Sequence, residues 1–249
     1  MTTLTTILFS LAMALAPAAA QAADLKILAG GSMTASLKDL GPQFERATGH
    51  RLDIAFAGTP DLIKQATSGA PFDAGVVPVD VMKNAEARAK FSSAPAANIA
   101  RVGYGVAVKA GAPKPDISTP DKFKDAMLKV QSVTLYPESA AGAYVMKTFE
   151  RLGIADAMKA KLKPQKTPGE IAQAVAKGEA QYGVFLTNVL IAPGVEPAGP
   201  FPGELQNELV FVGAVAAESK NAQAAKVFLD FLQTPEAAAV FKAKGVTPG

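Results

Sequence analysis

The chain has 249 residues, with 25 Lys and Arg against 22 Asp and Glu, a formal net charge of +3, one His, no Cys and no Trp. The lack of Cys excludes a disulfide framework, a thiolate zinc site, a cysteine nucleophile and a lipidated cysteine anchor. The basic residues are scattered, without the cluster and aromatic interleaving that grip nucleic acid, so the small positive excess implies only a weak general attraction for anions.

Residues 1–22 carry no charged side chain and hold an apolar run at 7–16, then Pro17 and a string of alanines ending Ala20-Gln21-Ala22. The run is too short to span a bilayer as a helix, and Ala20 with Ala22 supply the small-x-small pattern of a cleavable signal peptide. The expectation is export to the periplasm, loss of residues 1–22 and a mature protein that is monomeric and free of a lipid anchor.

Beyond the leader, short apolar runs alternate with amphipathic ones. Strands are expected at 25–29, 51–56 and 74–77. Between them, Leu37, Leu40 and Phe44 recur at helical spacing up to Gly49, and a second helix is expected at 60–68. A strand at 101–109 precedes the Pro-rich stretch 110–115, which cannot hold a helix. Helix 120–129, strand 133–136, helices 142–152 and 168–177 and strand 182–186 form a second series. Residues 192–203, with Pro193, Pro197, Pro200 and Pro202, read as a loop before a returning strand at 209–214 and closing helices at 222–232 and 235–244. Val227, Phe228, Phe231, Val240 and Phe241 give those last helices an apolar face. The pattern predicts an α/β fold of mixed sheets flanked by helices. It divides into two lobes, 23–104 with 206–249 and 105–205, that face each other across a cleft, where small ligands usually bind.

Four helices begin with Thr-Pro, at Thr59, Thr119, Thr167 and Thr234, and Thr167 with Glu170 has capping-box spacing. Thr is a good N-cap, and Pro in the first turn loses no helical hydrogen bond, so each is first an ordinary cap. Two starts follow a strand directly: Gly30-Gly31-Ser32-Met33 and Ala57-Gly58-Thr59-Pro60. Their free N–H groups and positive dipole ends make one sheet edge an anion site without Lys or Arg. Gly31 and Gly58 allow close approach of backbone, and Ser32 and Thr59 add hydroxyl donors. A third start, Ser139-Ala140-Ala141-Gly142-Ala143, brings Ala141 and Gly142 from the second lobe.

These segments, together with 68–73 (Ser-Gly-Ala-Pro-Phe-Asp), Gly142-Ala143-Tyr144, Arg151-Leu152-Gly153, Gly183-Val184-Phe185 and 241–245, resemble the periplasmic molybdate-binding proteins of ABC importers. The resemblance runs in order through the mature chain. It implies a type II periplasmic binding fold, with molybdate or tungstate held by Ser32, Thr59 and the Ala141 N–H, and a membrane ABC permease as transient partner. No cofactor is implied. The pattern departs from the family at three donor positions: Pro78, Pro168 and Leu186 stand where two backbone N–H groups and a tyrosine hydroxyl are expected, and a one-residue slip would put Val79 in place of Pro78. Another small anion, such as an organic carboxylate, phosphate or sulfate, is therefore the alternative ligand.

Thr187 and Asn188, at the end of strand 182–186, are candidates to line the cleft where that tyrosine is missing; the alternative is a polar exit from the strand. His50 is expected as an exposed turn residue, and Tyr104 and Tyr144 as packing residues. Asp61, Asp80 and Glu138 are the carboxylates within reach of a cleft, yet no nucleophile and base stand out, which disfavours a periplasmic enzyme. A transcription-regulator effector domain would need a DNA-binding helix pair where the leader stands.

Overall fold

The computed structural model describes residues 22–92, 94 and 96–249. The signal peptide expected at 1–22 lies, except for Ala22, outside these residues.

Strand β1 (Asp24–Gly30) leads through a 3-10 turn, Gly31–Met33, into helix α1 (Thr34–Thr48). Leu37, Leu40 and Phe44 form the buried stripe of α1, and Gly49, at φ +76°, takes the left-handed conformation that ends it. Then follow β2 (Arg51–Ala57), α2 (Thr59–Thr67), β3 (Ala74–Pro78), the short helices α3 (Val79–Lys83) and α4 (Ala85–Arg88), and β4 (Ala97–Lys109). The second series is α5 (Pro120–Lys129), β5 (Val133–Leu135), α6 (Ala140–Arg151), α7 (Ala155–Lys161), β6 (Leu162–Pro164), α8 (Pro168–Lys177), β7 (Tyr182–Leu186) and β8 (Val195–Pro200). The chain returns through β9 (Glu208–Val215), α9 (Ala222–Phe231), α10 (Pro235–Ala243) and β10 (Thr247–Pro248).

The strands form a curled mixed sheet in the order β2-β1-β3-β9-β4-β7-β5-β6, with β8 and β10 added alongside β4. β1 pairs in parallel with β2 and β3, the consequence of helical crossovers. The two halves share β4. Its residues from Ala97 to Gly103 pair with β9, while those from Tyr104 to Val108 pair with β7. The two-lobed α/β architecture thus turns on one strand that changes partners between adjacent residues.

The structure departs from the pattern reading at several places: helices α3, α4 and α7 and strands β6 and β10 were not expected. Residues 195–200 are a strand, not a loop: β8 is an edge strand on β4, where a proline N is not required by a further neighbour. β4 starts four residues before its expected limit, since Ala97 and Asn98 pair with Gly213 and Val212. His50 is 7% exposed rather than a free turn residue. The Gly49 turn carries it back beside β1, where Nδ1 accepts the Ala23 N–H at 3.1 Å and the ring stacks on Phe44.

Asp73 ties the same half together. Its carboxylate accepts from the Lys26 N–H at 2.9 Å, the Ser219 hydroxyl at 2.7 Å and the Asn221 amide at 3.3 Å, joining β1, β3 and the start of α9. No helix among the described residues is long and apolar enough to cross a membrane.

Candidate functional site

The Thr-Pro helix starts separate into two kinds. Thr119 Oγ1 accepts from the Lys122 N–H and Thr234 Oγ1 from the Ala237 N–H, each at 3.3 Å. At Thr167 the Glu170 carboxylate closes the capping box, accepting from the Thr167 N–H at 3.1 Å. Thr59 does none of this. Gly58 occupies the N-cap position of α2, and the 8%-exposed Thr59 turns its hydroxyl across the cleft to accept the Ala140 N–H of α6 at 3.1 Å. A hydroxyl that accepts one bond keeps its own proton to donate.

Around this bond lies a cavity of about 20 Å³, room for one water. Gly30, Gly31 and Ser32 line it from the turn after β1, and Ala57, Gly58 and Thr59 from the turn after β2. Ser139 and Ala141 line it from the start of α6. In that first turn the Gly142 N–H donates to Ser139 Oγ at 3.0 Å and the Ala140 N–H to Thr59. Ala141 is left as the first-turn residue whose N–H has, among the described residues, neither a helical nor a capping partner. The rest of the wall is apolar: Pro78, Pro168, Phe185, Leu209 and Phe211. No lining residue is charged, so the field in the cavity comes from oriented backbone N–H groups and the N-terminal ends of α2 and α6.

The missing Cβ atoms of two glycines set how closely the halves approach. A Cβ on Gly58 would lie 2.4 Å from the Tyr136 ring, and one on Gly31 would lie 3.2 Å from Pro168 Cδ. Tyr136 sits just after β5 and is buried; burial, followed by the charges of Asp61 and Glu138, raises its phenol above the ordinary value and keeps it a neutral O–H. A second direct link crosses the cleft where Asn188 Nδ2 donates to the Ser32 carbonyl at 2.6 Å.

Of the residues expected at the site, Gly31, Ser32, Gly58, Thr59 and Ala141 line the cavity. Gly142 does not. Its N–H is taken by Ser139, and a Cβ there would meet the Tyr136 carbonyl oxygen at 1.8 Å, so it serves helix packing. Val79 opens α3 behind Pro78, and Pro78 itself forms the wall, without an N–H to offer. Thr187 is absent from the lining because its N–H pairs with Gly103 and its methyl packs over Gly105. Asn188 lines the adjoining groove instead. Glu138 is exposed and Asp80 pairs with Lys83 at 2.9 Å. Among the described residues no group of three or more His, Asp or Glu side chains could hold a metal ion. Tyr136, Phe185, Leu209 and Phe211 were missed in the sequence, whereas Ser139 was part of the third expected helix start and Pro78 and Pro168 stood at expected donor positions. Tyr136 was legible only as the end of a strand aimed at the same edge as Ser139.

The comparisons agree with this architecture. The chain is 31% identical over 240 residues to an aconitate isomerase from Pseudomonas sp, covering 93% of this chain and 90% of that protein. It is 27% identical over 230 residues to the molybdate-binding protein of Azotobacter vinelandii, covering 91% of each. A solved structure of the periplasmic molybdate-binding protein of Azotobacter vinelandii superposes with a TM-score of 0.72 at 17% identity, over 90% of this chain and 99% of that one. The model of the bacterial extracellular solute-binding proteins matches residues 25–247, which takes in both lobes and every wall of the cavity, and the chain belongs to that family.

Proposed function

We propose that this chain is the periplasmic solute-binding component of an ABC importer, and that it holds a small oxyanion between two lobes, 23–104 with 206–249 and 105–205. The partner change in β4 supports that division. One observation carries the reading: Thr59, alone among the Thr-Pro starts described above, leaves its own helix uncapped by side chain and meets α6 of the other half at the cavity. Residues spent on a purely structural role would cap, as the other three do.

The mechanism follows from size and charge. A space of about 20 Å³ admits a ligand larger than water only when the lobes part. An anion then replaces the Ala140–Thr59 bond by accepting from both groups, from Ala141 and from the Ser32 hydroxyl, and the lobes close on it. A buried anion without counter-charge is costly unless several donors meet it, and these oriented dipoles provide them. Molybdate or tungstate is the first reading, supported by the likeness to the molybdate-binding protein of Azotobacter vinelandii.

The apolar wall favours a second reading, an organic anion such as a carboxylate. Pro78, Pro168, Leu209, Phe185 and Phe211 give a tetrahedral dianion no donors but suit a carbon skeleton. The likeness to an aconitate isomerase supports the same class. With no charged side chain and no His lining the cavity, the arrangement favours capture over turnover.

A thermal-shift and calorimetric panel of molybdate, tungstate, sulfate, phosphate and small carboxylates tests the proposal. Ligand at about 100 times its dissociation constant adds about 2.7 kcal/mol to stability. At least one anion raises the unfolding midpoint while neutral sugars do not; silence from every anion overturns the reading.

A further inference from the structure

Beside the cavity lies a larger groove of about 390 Å³. Gly31, Ser32 and Pro168 line both spaces, so the two meet where the turn after β1 faces the start of α8. The groove is walled by Ala35 of α1, by Ala172 and Gln173 of α8, and by the segment 189–193 after β7. None of its lining residues is charged.

Asn188 stands among those lining residues and is 8% exposed. Its Nδ2 donates to the Ser32 carbonyl at 2.6 Å, which fixes the orientation of the amide. That leaves Oδ1 as a buried acceptor with no hydrogen-bond partner among the described residues. Buried acceptors in folded proteins are almost always paired, and an unpaired one is a standing cost. An inorganic oxyanion confined to the small cavity would not relieve it, since Asn188 lines the groove and not that cavity.

We propose that the ligand is a two-part organic anion. Its oxyanion group lies at Ser32, Thr59 and Ala141, and a short uncharged segment bearing a hydroxyl or amide N–H extends past Pro168 into the groove, where Asn188 Oδ1 accepts that hydrogen. The inference rests on the second reading above, an organic anion held in the cleft, and gives the class of solute. The segment is uncharged because a second charge would be desolvated there without a counter-charge. The carbon skeleton passes over Pro168, whose ring supplies contact area and whose missing N–H demands no acceptor.

The test is calorimetric titration of the full mature chain with matched probes. Acetate, inorganic phosphate and molybdate are the bare heads; 4-hydroxybutyrate and glycerol 3-phosphate carry the same heads with an uncharged hydroxylated extension, one for a carboxylate and one for a phosphate. At least one extended probe is expected to bind about tenfold or more tightly than its own bare head. Asn188→Leu should erase most of that advantage. Because Asn188→Leu also removes the link to Ser32, a second variant, Ala35→Phe, fills the groove from an exposed helix position; it should weaken the extended probe about tenfold and leave the bare head unchanged. Bare heads that bind as tightly as extended ones, or variants that weaken both alike, overturn the inference while leaving the anion site standing. No binding by any of these probes overturns this inference; silence from the whole anion panel as well overturns the anion site itself.

Discussion

The Ala140 N–H donates to Thr59 Oγ1 at 3.1 Å, joining the first turns of two helices that lie 81 residues apart in the chain. The bond puts an anchored hydroxyl and a helix dipole at one point between the two halves.

Thr59→Val keeps the shape of the side chain and deletes the hydroxyl. The Ala140 N–H then loses its partner and the ligand loses a donor, so the anion giving the largest thermal shift should bind weaker by about 1–2 kcal/mol. The unfolding midpoint without ligand should move by less than the shift that anion produces. Calorimetry that finds unchanged affinity would remove Thr59 from the site.

Two glycines should respond to Ala in opposite ways. At Gly142 the added methyl meets a backbone oxygen at 1.8 Å, which cannot give way without moving α6, so stability should fall by about 3 kcal/mol or more in urea unfolding. At Gly58 it meets the ring of Tyr136, a side chain that can swing aside. Gly58→Ala should therefore cost affinity, about tenfold, more than stability. Combining it with Tyr136→Ala should cost less than the two single effects added together. Additive effects would show that Tyr136 does not meet Gly58 in the bound state.

Asp73→Ala removes the acceptor shared by Lys26, Ser219 and Asn221. Hydrogen bonds to a buried carboxylate are the strong kind, and three donors are stranded, so a loss of about 3 kcal/mol is expected, roughly 6–12 °C in midpoint. Ligand affinity at saturating folded protein should stay within about twofold, because Asp73 does not line the cavity. A large affinity change at normal stability would contradict the structural role.

Burial raises the phenol of Tyr104 far above its ordinary value, with the neighbouring Tyr144 and Asp80 adding to it, and burial also raises Tyr182. The folded chain then holds protons that the unfolded chain gives up. This contribution is fully present below the ordinary tyrosine value of about 10 and is lost as pH rises above it toward the folded values. Urea midpoints should accordingly be level from pH 7 to about 9.5 and fall at higher pH. Tyr104→Phe should make that fall shallower. An unchanged alkaline slope in the variant would assign the loss to other groups.

Much of the fold was legible because local chemistry and final structure agree. Helices 120–129 and 168–177 and the strand 182–186 stand at the expected residues, since Pro-capped starts and apolar periodicity act within a few residues. The strand 195–200 was hidden by its prolines, whose tolerance depends on having a neighbour on one side only. His50 was misread as exposed, because its burial depends on where β1 passes, not on its neighbours in sequence.

The candidate site divides along the same line. Glycines and hydroxyls directly after strands are a local signature, so the sequence alone pointed to Gly31, Ser32, Gly58, Thr59 and Ala141. Which threonine caps its helix and which reaches across the cleft, which glycine faces a cavity and which faces a carbonyl, and that Asn188 is left with one unmet oxygen are matters of the tertiary structure. A hydrogen bond between residues 59 and 140, or 32 and 188, depends on how two lobes approach, and no periodicity along the chain encodes that distance.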